Sequence, residues 1–131
     1  MKLYLSGPMT GIPDHNYPAF NGAAMLLREK GHTVINPAEV DGGDQTQTHQ
    51  YYMRRDLSLM LDNPDLEGLV YLDGWQNSTG ANFETVVATA IGLKFFDYVP
   101  EEAFGIREHI TENILEEANR LIYGARQSSY G

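Results

Sequence analysis

The run Leu69-Val70-Tyr71-Leu72, followed at once by Asp73-Gly74-Trp75-Gln76-Asn77-Ser78-Thr79-Gly80, constrains this chain more than any other stretch. Consecutive bulky apolar residues ending in a polar turn predict a strand buried on both faces, as in a parallel sheet covered by helices. Ser78 or Thr79 can cap the next helix by accepting a bond from a free backbone N–H. From Phe83 the apolar residues fall at Phe83, Val86, Val87, Ala90 and Ile91, one face of a 3.6-residue helix. That stripe is expected to pack on the sheet. Glu84 then lies one residue off it, between the small residues Gly80 and Ala88 one turn away, and faces a cleft above the sheet.

A carboxylate near a helix N-terminus is expected to be held ionised by the helix dipole, which suits a nucleophile. Asp73, at the carboxyl edge of the strand, is the candidate second carboxyl. Two carboxyls across a cleft equip a site to cut a bond at a sugar's anomeric carbon: one attacks, the other protonates the leaving group. The same residue types have a plainer reading. A Glu in an early helical turn is commonly a solvated residue favoured by the dipole, and an Asp after a strand is commonly a turn former.

Composition narrows the class. The chain has 131 residues, enough for one domain with one core. It contains no Cys, which excludes a disulfide framework, a thiol nucleophile and a Cys-type zinc site. The net charge of −9 opposes binding to a nucleic-acid polymer, which needs a basic face. No apolar run approaches the roughly 20 residues that span a bilayer. The first strand follows Met1 without a basic and apolar leader, so a cytoplasmic protein is expected.

The remaining chain alternates strands and helices. Lys2-Leu3-Tyr4-Leu5 reads as a strand running into Ser6-Gly7-Pro8-Met9-Thr10-Gly11. Ligands of doubly wound sheets bind in such loops at the carboxyl ends of strands, though a plain connection has the same appearance. The loop is neither G-x-G-x-x-G nor a phosphate loop with G-K-[ST]. Pro18 opens a helix with the stripe Phe20, Ala23, Ala24 and Leu27, closed by Gly31. Thr33 to Asn36 is a second strand. Residues 38–49 form a polar connection longer than usual, either a lid or slack. A helix from about Gln50 to Asp62 buries Met53, Leu57, Met60 and Leu61, and its Arg55 and Asp56 read first as an ion pair or cap. Leu93 to Val99 is a further strand ended by Pro100. Arg107 to Tyr123 reads as a terminal helix lined by Ile110, Ile114, Ala118, Leu121 and Ile122, with a Glu116–Arg120 pair, a stop at Gly124 and a frayed tail. The histidines show no metal-ligand spacing.

This order predicts an open α/β sheet of four to five mostly parallel strands with helices on both faces, Rossmann- or flavodoxin-like, over residues 1–105. A C-terminal helix and tail over 106–131 follow, which can pack on the domain, pair with a second subunit or lead into a further domain.

Tyr4-Leu5-Ser6-Gly7-Pro8-Met9, then Asp73-Gly74, then Ser78-Thr79-Gly80-Ala81-Asn82-Phe83-Glu84 together resemble the nucleoside 2-deoxyribosyltransferase-like superfamily. The resemblance is closest to its small, mostly phage- and bacterium-encoded DUF4406-type branch and covers residues 2–98. Its most specific piece is S-x-G-x-x-x-E opening a helix. The resemblance implies that Glu84 is the nucleophile on C1′ of a 2-deoxyribose, that Asp73 assists at the base, and that Tyr4 orients the nucleophile. It implies that Ser6, Gly7, Ser78 and Gly80 hold the 5′ end of the ligand, with Pro8 and Met9 beside them, and Trp75 stands where a base can stack. From Ser78 to Glu84 a helix rises about 9 Å, comparable with the reach from a 5′ group to C1′. Two departures stand out. Pro8, Met9 and Thr10 are neutral where nucleotide-hydrolysing relatives carry basic character, and the tail from Ile114 resembles a segment that opens a separate phage domain.

The expected activity is cleavage of the N-glycosidic bond of a 2′-deoxynucleoside or its 5′-monophosphate, by hydrolysis or deoxyribosyl transfer. The expected ligand is a small-molecule nucleoside or nucleotide, with no metal or redox cofactor and no membrane, in a homodimer or larger homo-oligomer. Two rivals remain: a sensor that binds a nucleotide without cutting it, and an interaction module whose terminal helix is the working part.

Overall fold

A computed structural model describes residues 1–110. Five strands form one sheet in the order β2-β1-β3-β4-β5. They are β1 (Lys2–Ser6), β2 (Thr33–Ile35), β3 (Gly68–Tyr71), β4 (Lys94–Tyr98) and β5 (Ile106–Glu108). The first four run parallel, and β5 is antiparallel to β4. Among the described residues three α-helices cover the sheet: α1 (Tyr17–Glu29), α2 (His49–Leu61) and α3 (Thr79–Ala90). The expected open α/β sheet with helices on both faces is therefore the fold.

Alternation along the strands sorts residues between the two faces. Leu3, Leu5, Val70 and Leu72 join Phe20, Ala23, Ala24 and Leu27 of α1 in one apolar core. Tyr4, Leu69 and Tyr71 point the other way and pack with Met60 of α2, Ala81 and Ala88 of α3, and Trp75. Gly7, just past β1, is required by close approach: a Cβ there would stand 2.9 Å from Leu72 Cβ.

The chain leaves β1 toward β2 on one side and returns to β3 on the other. The carboxyl ends of β1 and β3 thus flank the point where strand order reverses, which opens a crevice there.

Two expectations are corrected. Arg107 and Glu108 belong to strand β5, not to a helix. Gly105 (φ 75°) turns the chain back, Val99 N donates to Gly105 O at 2.9 Å, and Tyr98 pairs with Ile106. This charged three-residue strand caps the sheet edge, a common way to blunt one. The rest of the expected terminal helix and the tail lie outside the described residues, from 111 onward.

The second correction concerns α3. Its buried residues are Ala81, Asn82, Glu84, Thr85 and Ala88, whereas Phe83 and Ile91 are exposed and Val86 and Val87 half-buried. The helix is rotated from the orientation its apolar period predicts. The sheet beneath it presents hydroxyls: Tyr4 and Ser6 meet Glu84, and Tyr71 Oη lies 2.6 Å from Thr85 Oγ1. A face of small and polar side chains fits that surface better than a stripe of Phe, Val and Ile.

Among the described residues no helix is long and apolar enough to cross a membrane.

Candidate active site

The crevice is a cleft of about 650 Å³. Its floor is the end of β1 with the loop Gly7 to Gly11, and one wall is the start of α3 from Asn77 to Ala81 with Glu84. The opposite wall is α2 with Tyr52, Met53 and Asp56, and the rim carries His15, Gln47 and His49.

The turn into α3 is held from within. Ser78 Oγ accepts from Ala81 N at 3.1 Å, and Asn82 Nδ2 donates to Gln76 O at 3.0 Å and Ser78 O at 2.8 Å. Asn82 therefore fixes the loop that shapes the wall. It sits inside the motif that the sequence singles out, without itself reaching the cleft.

Glu84 is 6% exposed, and both of its oxygens are engaged. Tyr4 Oη donates to Oε2, and Ser6 Oγ donates to Oε1 at 2.8 Å. Burial pushes the Glu84 carboxyl up to about 8, the negative charge of Asp56 adds to the rise, and the Tyr4 and Ser6 hydroxyls oppose it. The expectation of a carboxylate held ionised by the helix end is corrected accordingly. Asn82 N is bonded to Ser78 O, and Ala81 N to Ser78 Oγ, so these α3 amides are already spent, and desolvation outweighs the dipole. Tyr4 is fully buried, and burial beside Glu84 raises its hydroxyl well above the usual range, which keeps it a neutral donor.

The second carboxyl in the cleft is Asp56. Its side chain is 13% exposed, and Arg55 Nε donates to Oδ1 at 2.9 Å. Burial lifts it to about 6, against the pull of the guanidinium. Asp73 does not line the cleft: it is exposed, because the left-handed Gly74 (φ 86°) turns the chain away from the sheet just there. Trp75 does not line it either. Its ring stacks on Tyr71 with centroids 3.8 Å apart and is buried in the core.

Of the residues singled out from sequence, Gly7, Pro8, Met9, Ser78, Gly80 and Glu84 line one cleft. Tyr4 and Ser6 stand behind Glu84. Asp56, Tyr52, His15 and His49 were not singled out as site residues. A signal for Asp56 exists: Met53, Asp56, Leu57 and Met60 share one helical stripe, which places a carboxylate among apolar residues. Among the described residues no group of three or more His, Cys, Asp or Glu is arranged to hold a metal ion.

A mostly parallel α/β sheet with one buried and one half-buried carboxyl sharing the cleft at its switch point defines the class of protein. Residues 1–97 match the family described as a domain of unknown function, DUF4406, and the chain belongs to that family. No curated protein and no solved structure matches the chain.

Proposed function

We propose that this protein cleaves the N-glycosidic bond of a 2′-deoxynucleoside or its 5′-monophosphate, with Glu84 as nucleophile and Asp56 in the role first expected of Asp73. The observation that carries the reading is the pairing of two carboxyls in one cleft, one of them gripped by two hydroxyl donors. The resemblance of the Tyr4 to Met9 and Ser78 to Glu84 motifs to the nucleoside 2-deoxyribosyltransferase-like superfamily supports it.

Burial raises the proton affinity of both carboxyls and the charge of Asp56 raises that of Glu84 further, so between about pH 6 and pH 8 the pair holds one proton. That proton rests on Glu84, the weaker acid of the two, and the armed form is the one in which it has moved to Asp56 and Tyr4 and Ser6 hold the carboxylate left on Glu84. A Glu84 oxygen bonds to C1′ as the C1′–N bond breaks, and the electron pair goes to the base nitrogen, which takes the proton from Asp56. Water then attacks C1′, its proton passes to Asp56, and Glu84 leaves as carboxylate. A second base in place of water gives transfer. Two displacements give net retention. Tyr4 and Ser6 favour the ionised form of Glu84 at the moment of attack. Tyr52 and Met53 on the α2 wall and Met9 in the floor loop offer apolar surface to a base, and the polar start of α3 is left for the sugar's 5′ end.

The test is chromatography of free base released from a panel of deoxynucleosides and their monophosphates, with and without an acceptor base. Wild type is expected to release base, and Glu84→Gln to lose about 10³-fold or more of that rate while keeping its fold. Near-normal release by Glu84→Gln would sink the assignment. A ligand bound and returned intact by wild type would favour the sensor.

A further inference from the structure

We infer that Arg55 is a positioning residue of the cleft, holding one oxygen of Asp56 so that the other is free to pass a proton to the leaving base. The inference rests on the proposed reaction and assigns a part in it to a residue that does not line the cleft.

The geometry is one-sided. Arg55 Nε donates to Asp56 Oδ1 at 2.9 Å, and Nη2 lies 2.9 Å from the same oxygen. Oδ2 takes no hydrogen bond among the described residues, although Asp56 lines the cleft. A carboxyl needs one oxygen anchored and one open to deliver a proton in a fixed direction. The anchor is itself fixed. Arg55 Nη2 donates to Pro37 O at 2.9 Å, and its guanidinium stands 5.0 Å over the ring of Tyr52, a cleft residue. The Arg55 side chain is 9% exposed, so its charge is poorly screened by water. The planar guanidinium bonds Asp56 and the Pro37 carbonyl at once in fixed directions, whereas a lysine keeps the charge without that fork.

The electrostatic surroundings fit this role. The charge of Asp56 acts on Glu84 from α3, Tyr4 from β1 and Tyr17 from α1. Asp41, from the connection before α2, lies 3.9 Å from Arg55 Nη1, and His15 and His49 share the cleft. Arg55 is the cation paired directly with Asp56. It stabilises the charge left on Asp56 when the proton goes to the base, and so makes Asp56 the stronger acid of the pair.

The experiment compares wild type, Arg55→Gln and Arg55→Lys on two substrates: an ordinary purine deoxynucleoside, and its N7-methylated form, whose base leaves without needing a proton. Arg55→Gln is expected to lose at least tenfold more kcat on the ordinary substrate than on the methylated one, with KM little changed. Equal losses on both substrates, or no loss, would overturn the inference. Carboxyl ¹³C NMR titration of the full chain reads the same pair without turnover. The lower titration step should move up by about one pH unit in Arg55→Gln and stay near its wild-type position in Arg55→Lys. An unmoved step in Arg55→Gln overturns the inference as well. If wild type cleaves neither substrate, the proposed reaction fails, and the titration still decides whether Arg55 governs Asp56.

Discussion

The two faces of the sheet are built from the same strands and serve opposite ends. On the α1 face, Leu3, Leu5, Phe20, Leu27, Val70 and Leu72 make a core without a buried charge. On the face of α2 and α3, the neighbouring positions Tyr4 and Ser6 turn hydroxyls toward a buried carboxyl, and Thr85 and Asn82 replace aliphatic side chains. Burying Glu84 costs stability, and the hydroxyl bonds recover part of that cost. The contrast teaches that one face holds the sheet together so that the other can carry a costly set of buried polar groups.

The contrast breaks most visibly under truncation. Leu27→Ala on the α1 face removes a fully buried side chain and should cost about 2–5 kcal/mol in denaturant unfolding. The loss should be the same at pH 5 and pH 8, since the tyrosines of that core, Tyr17 and Tyr98, are raised by burial and stay neutral throughout. A pH-dependent loss would mean that the faces are not independent.

The polar face should respond to pH instead. Glu84 goes from an ordinary 4.5 to about 8 on folding, and Asp56 from 3.8 to about 6. The folded chain therefore holds protons that the unfolded chain releases. The associated stability is fully present below about pH 4 and is lost as pH rises toward and through about 8. The decline should be a few kcal/mol in wild type and markedly smaller in Glu84→Gln, read as the denaturation midpoint against pH. A wild-type curve as flat as that of the variant would mean that burial does not raise the Glu84 carboxyl.

A smaller effect sharpens the assignment of the hydroxyls. Tyr4→Phe removes one donor that favours the ionised form of Glu84. The upper apparent pKa of the pH–rate profile should rise by less than about one unit, with a rate loss near pH 7 of about tenfold. A downward move would show that Tyr4 does not donate to the carboxylate.

How much of this was legible in the sequence differs by face. The α1 stripe of Phe20, Ala23, Ala24 and Leu27 was readable because apolar period and burial coincide there. Helix α3 departs from its apolar period because that period is set by Phe83 and Ile91, which are exposed, and by Val86 and Val87, which are only half-buried, while its packing is set by hydroxyls on β1 and β3. No local pattern carries that information: Tyr4 and Glu84 are eighty positions apart and meet only across the finished sheet. The short charged strand Ile106–Glu108 was hidden for a similar reason, since its pairing partner, not its composition, makes it a strand.

The smallest expected effect separates the two candidate acids. Asp73 follows the strand as the motif suggests, and proximity in sequence made it the natural partner of Glu84. Asp56 lies far from Glu84 in sequence, yet its carboxyl shares the cleft, while Asp73 is exposed beyond the Gly74 turn. Asp73→Asn should therefore leave base release within about threefold of wild type, as for a surface substitution away from the chemistry. Asp56→Asn, which keeps the shape but cannot pass a proton, should slow it by about 10²-fold or more. The reverse ranking would mean that the turn after β3 closes over the ligand and brings Asp73 in, and that the cleft in its open form understates the site.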